Sequence, residues 1–162
     1  MALEIERKFL VAENWQPDRK GSVVRQGYLP QKEGSPFTVR VRRTDDRAYL
    51  CIKGRNTGVT RAEYEYQIPV ADAEELLAML EKSGENFIDK TRYVVPYEGH
   101  EWEVDIFAGQ NEGLRVAEIE LTSEDEEFNK PEWIREEVSG DPRYYNANLI
   151  DYPYCKWKQK EL

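Results

Sequence analysis

Cysteine and histidine are scarce in this chain, with 2 Cys and 1 His among 162 residues. Cys51 and Cys155 match no zinc-ligand spacing and are too few for a disulfide framework, so both are expected as inert thiols in a reducing compartment. Long apolar runs are missing too. Charges enter at the fourth residue, in MALEIERKFLV, and neither a membrane span of ~20 apolar residues nor the apolar region of a signal peptide is expected. Basic charge is in deficit: 23 Lys and Arg stand against 32 Asp and Glu, for a net charge of −9. Such a field repels nucleic acids and anionic membranes at long range. The expectation is a cytoplasmic protein with no nucleic-acid or membrane partner. Repeats, low-complexity tracts and linkers are absent as well, so residues 1–162 read as a single domain of a size that one core can serve.

What is present is period-two alternation, the mark of strands with two unlike faces. It runs through Leu3 to Val11, Val23 to Leu29, Phe37 to Arg43, Ala48 to Lys53, Ala62 to Ile68, Phe87 to Val95, Glu101 to Phe107 and Leu114 to Leu121. Turn residues separate these runs, among them Gly34-Ser35-Pro36, Asp45-Asp46, Gly54 with Asn56 and Gly58, and Glu98-Gly99, so hairpins and antiparallel pairing follow. Helices are fewer. Asp72 to Ser83 carries an N-cap signal with Glu75 three residues on, apolar Ala73, Leu76, Leu77 and Leu80, and Gly84 as a stop. Ser123 with Glu126 repeats the capping device for a short turn or helix before Pro131, and Asp141-Pro142 starts another through Tyr144, Ala147 and Ile150. The fold class is mainly β (α+β), and eight such strands could close into an antiparallel β-barrel with a few flanking helices.

The chemistry lies in the phase of the charges. Residues two apart share a strand face, so Glu4, Glu6 and Lys8 oppose Leu3, Ile5 and Phe9. Arg40 and Arg42 oppose Val39 and Val41, Glu63 and Glu65 oppose Tyr64 and Tyr66, and Glu118 and Glu120 oppose Ile119 and Leu121. Lys90 with Arg92, Lys53 beyond Cys51, and Glu103 with Asp105 follow the same phase. An antiparallel sheet normally wets one face, and alternating charge there needs no function. Against that reading, like charges are grouped, Glu with Glu and Arg with Arg, where solubility alone favours mixed signs. A bound polyanion with its metals would compensate such groups, because carboxylate pairs hold hard cations and arginine pairs grip phosphate oxygens. In a closed barrel the ionic face could be the lumen, with opposite charges interleaved to offset desolvation.

Glu4-Ile5-Glu6-Arg7-Lys8 resembles the ExExK signature of the CYTH superfamily, the triphosphate tunnel metalloenzymes. Arg40-Val41-Arg42, Ile52-Lys53-Gly54, Glu63-Tyr64-Glu65, Lys90-Thr91-Arg92, Val104-Asp105-Ile106 and Glu118-Ile119-Glu120 follow in the family's order across almost the whole chain. The resemblance implies an eight-stranded antiparallel tunnel that binds triphosphate with Mg²⁺ or Mn²⁺. It makes Glu4, Glu6, Asp105, Glu118 and Glu120 metal ligands or positioners of the attacking water, and Lys8, Arg40, Arg42, Lys53, Lys90 and Arg92 the phosphate clamp. Glu63 and Glu65 fall on the family's other acidic strand. Pro131 to Val138, followed by Asp141, Arg143, Tyr144, Tyr145 and Asn146, resembles the short bacterial branch, which is associated with inorganic triphosphatase activity. Tyr28 resembles a branch tyrosine that contacts the opening-motif lysine, and packing accounts for it equally well.

The expected activity is therefore metal-dependent hydrolysis of tripolyphosphate. Hydrolysis of thiamine triphosphate or nucleotides, cyclisation of ATP, and polyphosphate binding without turnover stay open, as does a homodimer. His100 falls in a turn and is not expected to act in catalysis, and Trp15, Trp102, Trp133 and Trp157 are expected in packing. The tail from Tyr154 to Lys160 either folds over a tunnel mouth and lends a lysine or is frayed.

Overall fold

Each stretch of alternation is a strand in the computed structural model, which describes residues 3–157. The strands are β1 (Leu3–Val11), β2 (Ser22–Tyr28), β3 (Phe37–Arg43), β4 (Ala48–Gly54), β5 (Thr60–Ile68), β6 (Ile88–Tyr97), β7 (His100–Phe107) and β8 (Arg115–Glu120). A short ninth, β9 (Ile134–Glu137), joins them. β5 begins two residues before Ala62 because Thr57 and Thr60 close a tight turn through reciprocal backbone hydrogen bonds of 2.7 and 3.1 Å. Between β6 and β7 the chain reverses in two residues, with Glu98 at φ 44° and Gly99 at φ 86°. Positive φ at both centres matches the twist of the flanking strands, and glycine adopts it without Cβ strain.

Hydrogen bonding closes the sheet. Strands follow one another in the order β5-β4-β3-β2-β6-β7-β8-β1, and β1 then pairs with β5, giving a ring of eight antiparallel strands. β1 makes this closure by dividing its length: Leu3 to Ile5 pair with β5, while Glu6 to Leu10 pair with β8. β9 adds to the far end of β1 through Phe9 and Val11. It escapes the alternation test because only Ile134 of its four residues is apolar and buried.

Buried apolar residues mostly lie outside the ring. Phe9, Trp102, Val104, Ala117 and Ile119 form the outward face of β1, β7 and β8, with Trp15, Phe128 and Trp133 packed over them. The Trp102 ring meets Phe9, Phe128 and Trp133 edge-on at 5.6, 5.8 and 6.2 Å, so these tryptophans do pack. A second layer is α1 (Val70–Lys82), whose Ala73, Leu77 and Leu80 cover Val41 and Ala48. α1 starts two residues earlier than its capping pattern suggests, after Pro69 and with no side-chain cap. Asp72 instead lies in the first turn, where a carboxylate meets the positive end of the helix dipole. Gly84, at φ 86°, ends the helix as expected.

The third cluster fills one end of the ring. Leu10, Ile88, Phe107 and Val116 continue the inward faces of their strands and meet Val138, Tyr144, Leu149, Ile150 and Trp157 of the C-terminal segment. There Asp141 accepts from the Arg143 backbone N–H to cap a 3₁₀ turn (Pro142–Tyr144), and α2 (Asn146–Asp151) follows. Tyr145 is extended between them, which splits the expected single helix in two. Tyr154 and Trp157 join this end cluster. Lys158 and Lys160, the tail lysines, lie outside the described residues, and Lys156 is exposed. Ser123 starts no helix, and Glu126 reaches back to the Thr122 backbone N–H and hydroxyl, both at 2.6 Å. His100 opens β7 and lies 2.6 Å from Glu126 by its Nε2. No helix among the described residues is long and apolar enough to cross a membrane.

Candidate active site

Because the apolar faces turn outward, the alternating charges turn inward and line one cavity of about 560 Å³. That size lies within the roughly 300–1,000 Å³ of small-molecule sites and excludes a folded partner. β1 contributes Glu4, Glu6 and Lys8, and β8 contributes Glu118 and Glu120. Pairing sets Glu6 opposite Glu120 and Lys8 opposite Glu118, which gathers the carboxylates into one wall. Arg40 and Arg42 project from β3, four strands from β8 around the ring by either path. Lys53 from β4, Glu63 and Glu65 from β5, and Lys90 and Arg92 from β6 also line it with Tyr28 beside them, so that of the expected residues Asp105 alone is not in the lining.

Opposite charges interleave. Lys53 Nζ lies 3.1 Å from both Glu4 and Glu63. Arg42 and Arg40 approach Glu65 at 3.3 and 3.7 Å, Lys8 approaches Glu118 at 3.6 Å, and Arg92 meets Glu103 at 2.7 Å. The Nε atoms of Arg40 and Arg42 are buried and have no hydrogen-bond partner among the described residues. Donors are normally satisfied once buried, so two unspent guanidinium N–H groups on one wall suit an anionic ligand. The Tyr28 hydroxyl meets Gln26 and Arg40.

Asp105 stands differently from the other acidic residues. It is 1% exposed and sits behind the cavity surface. Its Oδ1 and Oδ2 accept from Arg92 at 2.7 and 2.8 Å, and Oδ2 lies 2.8 Å from Lys90 Nζ. Burial pushes its carboxyl up, but Arg92 and Lys90 outweigh that and hold it below the usual value. Burial likewise lowers Lys90 to about 8, with Asp105 opposing the shift.

Crowding among the other carboxylates is severe. Burial, then the charges of Glu118 and Glu4, push Glu6 well above its ordinary pKa, whereas Lys8, Arg92 and Lys90 overcome burial to hold Glu118 well below. Burial and a hydrogen bond with Glu4 raise Glu63 to about 7, while Glu4 is held low against burial by that bond and by Lys53. Burial and Glu4 also raise Glu120. Two pairs, Glu6 with Glu118 and Glu4 with Glu63, therefore behave as carboxylates sharing a proton. A hard divalent cation could take over that neutralisation through oxygen ligands, so the donor set fits one. Cys51, Glu63 and Glu65 also bring ligand atoms within 4.8 Å of one another, although Glu65 is engaged by the arginines.

Several lining residues carry no role in the sequence reading. Arg61 lies 3.4 Å from Glu4; it precedes the alternation that begins at Ala62. Glu103 shares the phase of Asp105, which is the signal that places it on the wall. Tyr145 and Asn146 reach the cavity from the C-terminal segment, where no periodicity points inward.

A family model described as CYTH domain matches residues 2–145. An inorganic triphosphatase of Acetivibrio thermocellus is 48% identical over 161 residues, covering 98% of this chain and 100% of that protein. One from Nitrosomonas europaea is 39% identical over 150 residues, covering 90% and 95%. A crystal structure of an inorganic triphosphatase superposes with a TM-score of 0.64 at 36% identity, covering 93% of this chain and 95% of its own. A Hippeastrum protein at 18% identity and TM-score 0.53, covering 76% and 80%, shares the fold.

Proposed function

The chain belongs to the CYTH domain family, and we propose that it is a triphosphatase that hydrolyses inorganic triphosphate to pyrophosphate and orthophosphate inside its charged ring. The observation that carries this reading is the facing of two walls in one cavity: carboxylates of β1 and β8 across from the guanidinium groups of β3. Tripolyphosphate is small and highly anionic, and its hydrolysis depends on spreading and fixing that charge.

Lys8, Arg40, Arg42, Lys53, Lys90 and Arg92 form the clamp. The arginines bind phosphate oxygens in forked pairs and the lysines act as point charges. Glu4, Glu6, Glu118 and Glu120 would hold a divalent cofactor, Mg²⁺ or Mn²⁺, which when bound would neutralise phosphoryl charge and favour ionisation of water. Asp105 fixes Lys90 and Arg92 in place, and Glu63 and Glu65 orient Lys53 and the arginines. A lining carboxylate aims the attacking water at the terminal phosphorus. The new P–O bond forms as the bridging P–O bond breaks, pyrophosphate leaves with the electron pair, and the water's proton passes through that carboxylate to solvent. The free thiols of Cys51 and Cys155 suit a cytoplasmic setting.

Phosphate release from tripolyphosphate, ATP, thiamine triphosphate and pyrophosphate tests the reading. Tripolyphosphate should be the fastest with Mg²⁺ or Mn²⁺, EDTA should abolish release, and Glu4→Ala or Glu120→Ala should cut turnover about 100-fold or more while the protein stays folded. Tight tripolyphosphate binding without turnover would point to a binding module, and cyclic AMP from ATP to a cyclase.

A further inference from the structure

The sequence pattern closing on Asn146 finds no use in the clamp or the carboxylate wall, yet its side chain enters the cavity at the end filled by the C-terminal segment. Lys90 Nζ donates to Asn146 Oδ1 at 3.3 Å, and Gln26 Nε2 donates to the same atom at 3.3 Å. An ammonium has donors only, which settles that oxygen, not nitrogen, faces it. Lys90 is 4% exposed and Gln26 is fully buried.

An ammonium carries three hydrogens in tetrahedral array. Asp105 takes one Lys90 hydrogen at 2.8 Å and Asn146 a second, which leaves one hydrogen of this cavity-lining lysine for a further acceptor. The same segment treats Lys8 alike: the Tyr144 carbonyl accepts from Lys8 Nζ at 3.1 Å, with Glu118 at 3.6 Å on another side. Two clamp lysines three strands apart around the ring are thus tied by acceptors two residues apart in the C-terminal segment. Without a second acceptor, an ammonium held by one carboxylate is free to turn about that contact.

We propose that Asn146 is a positioning residue for the reaction: its amide oxygen, a shared acceptor for Lys90 and Gln26, takes a second hydrogen from the Lys90 ammonium beside the one held by Asp105, and so turns the remaining hydrogen toward a substrate phosphoryl oxygen. The inference rests on the clamp role given to Lys90 in the proposed function. It makes the C-terminal segment part of the site rather than only a cover for apolar surface.

A double-mutant cycle tests it, with Asn146→Ala, Lys90→Ala and their combination measured for kcat, KM and calorimetric tripolyphosphate affinity. Asn146→Ala should lower kcat/KM about tenfold or more in the native background and less than about twofold in the Lys90→Ala background, since neighbours that act together are non-additive. Asn146→Asp keeps an acceptor for Lys90, so it should restore most of kcat while raising KM through its added negative charge. Asn86→Ala is the structural control, because Asn86 Nδ2 ties the segment through the Ile150 carbonyl at 3.1 Å without touching Lys90. Equal loss in both Lys90 backgrounds, or a loss from Asn86→Ala matching that from Asn146→Ala, would overturn the proposal. A wild-type protein that binds tripolyphosphate but releases no phosphate would refute the hydrolytic reading, and the cycle would still be read in affinities.

Discussion

At the residue scale, the acidic side chains divide by what they face. Glu4, Glu6, Glu118 and Glu120 present oxygens to the cavity, whereas Asp105 gives both of its oxygens to Lys90 and Arg92. Asp105→Asn should separate positioning from metal ligation. Removing the charge leaves buried Lys90 without its close counter-ion and Arg92 with Glu103 alone, at a cost of about 3–5 kcal/mol. Thermal unfolding should fall accordingly and KM for tripolyphosphate should rise, while Mn²⁺ affinity measured by calorimetry stays near the native value. A collapse of Mn²⁺ affinity would place Asp105 among the metal ligands instead. Phase alone puts Asp105 and Glu103 on one face, and it does not tell which of them lies deeper.

Element by element, alternation located every strand of the ring, and its failures share a cause. β9 is held by pairing to β1, and its sequence carries little pattern of its own. The Asp72 capping signal misplaces the start of α1, which follows Pro69 with no side-chain cap, and the Ser123 signal gives no helix because Glu126 bonds back to Thr122. The Thr122–Glu126 turn carries a pH prediction. Hydrogen bonds from Thr122, then from His100, hold the Glu126 carboxyl down at about 2. A depressed folded-state pKa contributes stability that is whole above the ordinary carboxylate range and fades as pH falls toward that lowered value. Amide protection of Thr122, followed by NMR, should therefore persist at pH 5 and be lost toward pH 2, and Glu126→Gln should weaken it even at pH 7. Protection already lost at pH 5 would contradict the arrangement.

For the whole molecule, the notable feature is an inside-out distribution, with apolar layers around the ring and charge within it. Like charges in the cavity repel, so any ligand that neutralises them adds to folding stability through binding to the native state alone. Tripolyphosphate with Mg²⁺ at about 100 times its dissociation constant should stabilise the protein by about 2.7 kcal/mol, read as a rise in thermal midpoint. Chloride at matched ionic strength should not reproduce the rise, because a monovalent ion cannot bridge both walls. An equal shift with chloride would mean that screening, not a specific site, relieves the repulsion.

The sequence by itself determined which residues share a strand face, because side-chain direction along a strand has a fixed period of two. It therefore placed Glu4, Glu6, Arg40, Arg42, Glu118 and Glu120 on ionic faces and fitted them to a family. Only the tertiary structure decided what those faces see. Closure depends on three residue pairs between β1 and β5, a long-range contact with no local signature, and it converts a face that could have been wet into the wall of a cavity. The same holds for Asn146. It reaches the site through packing of segments far apart in the chain, and no periodicity in one segment can report the position of another.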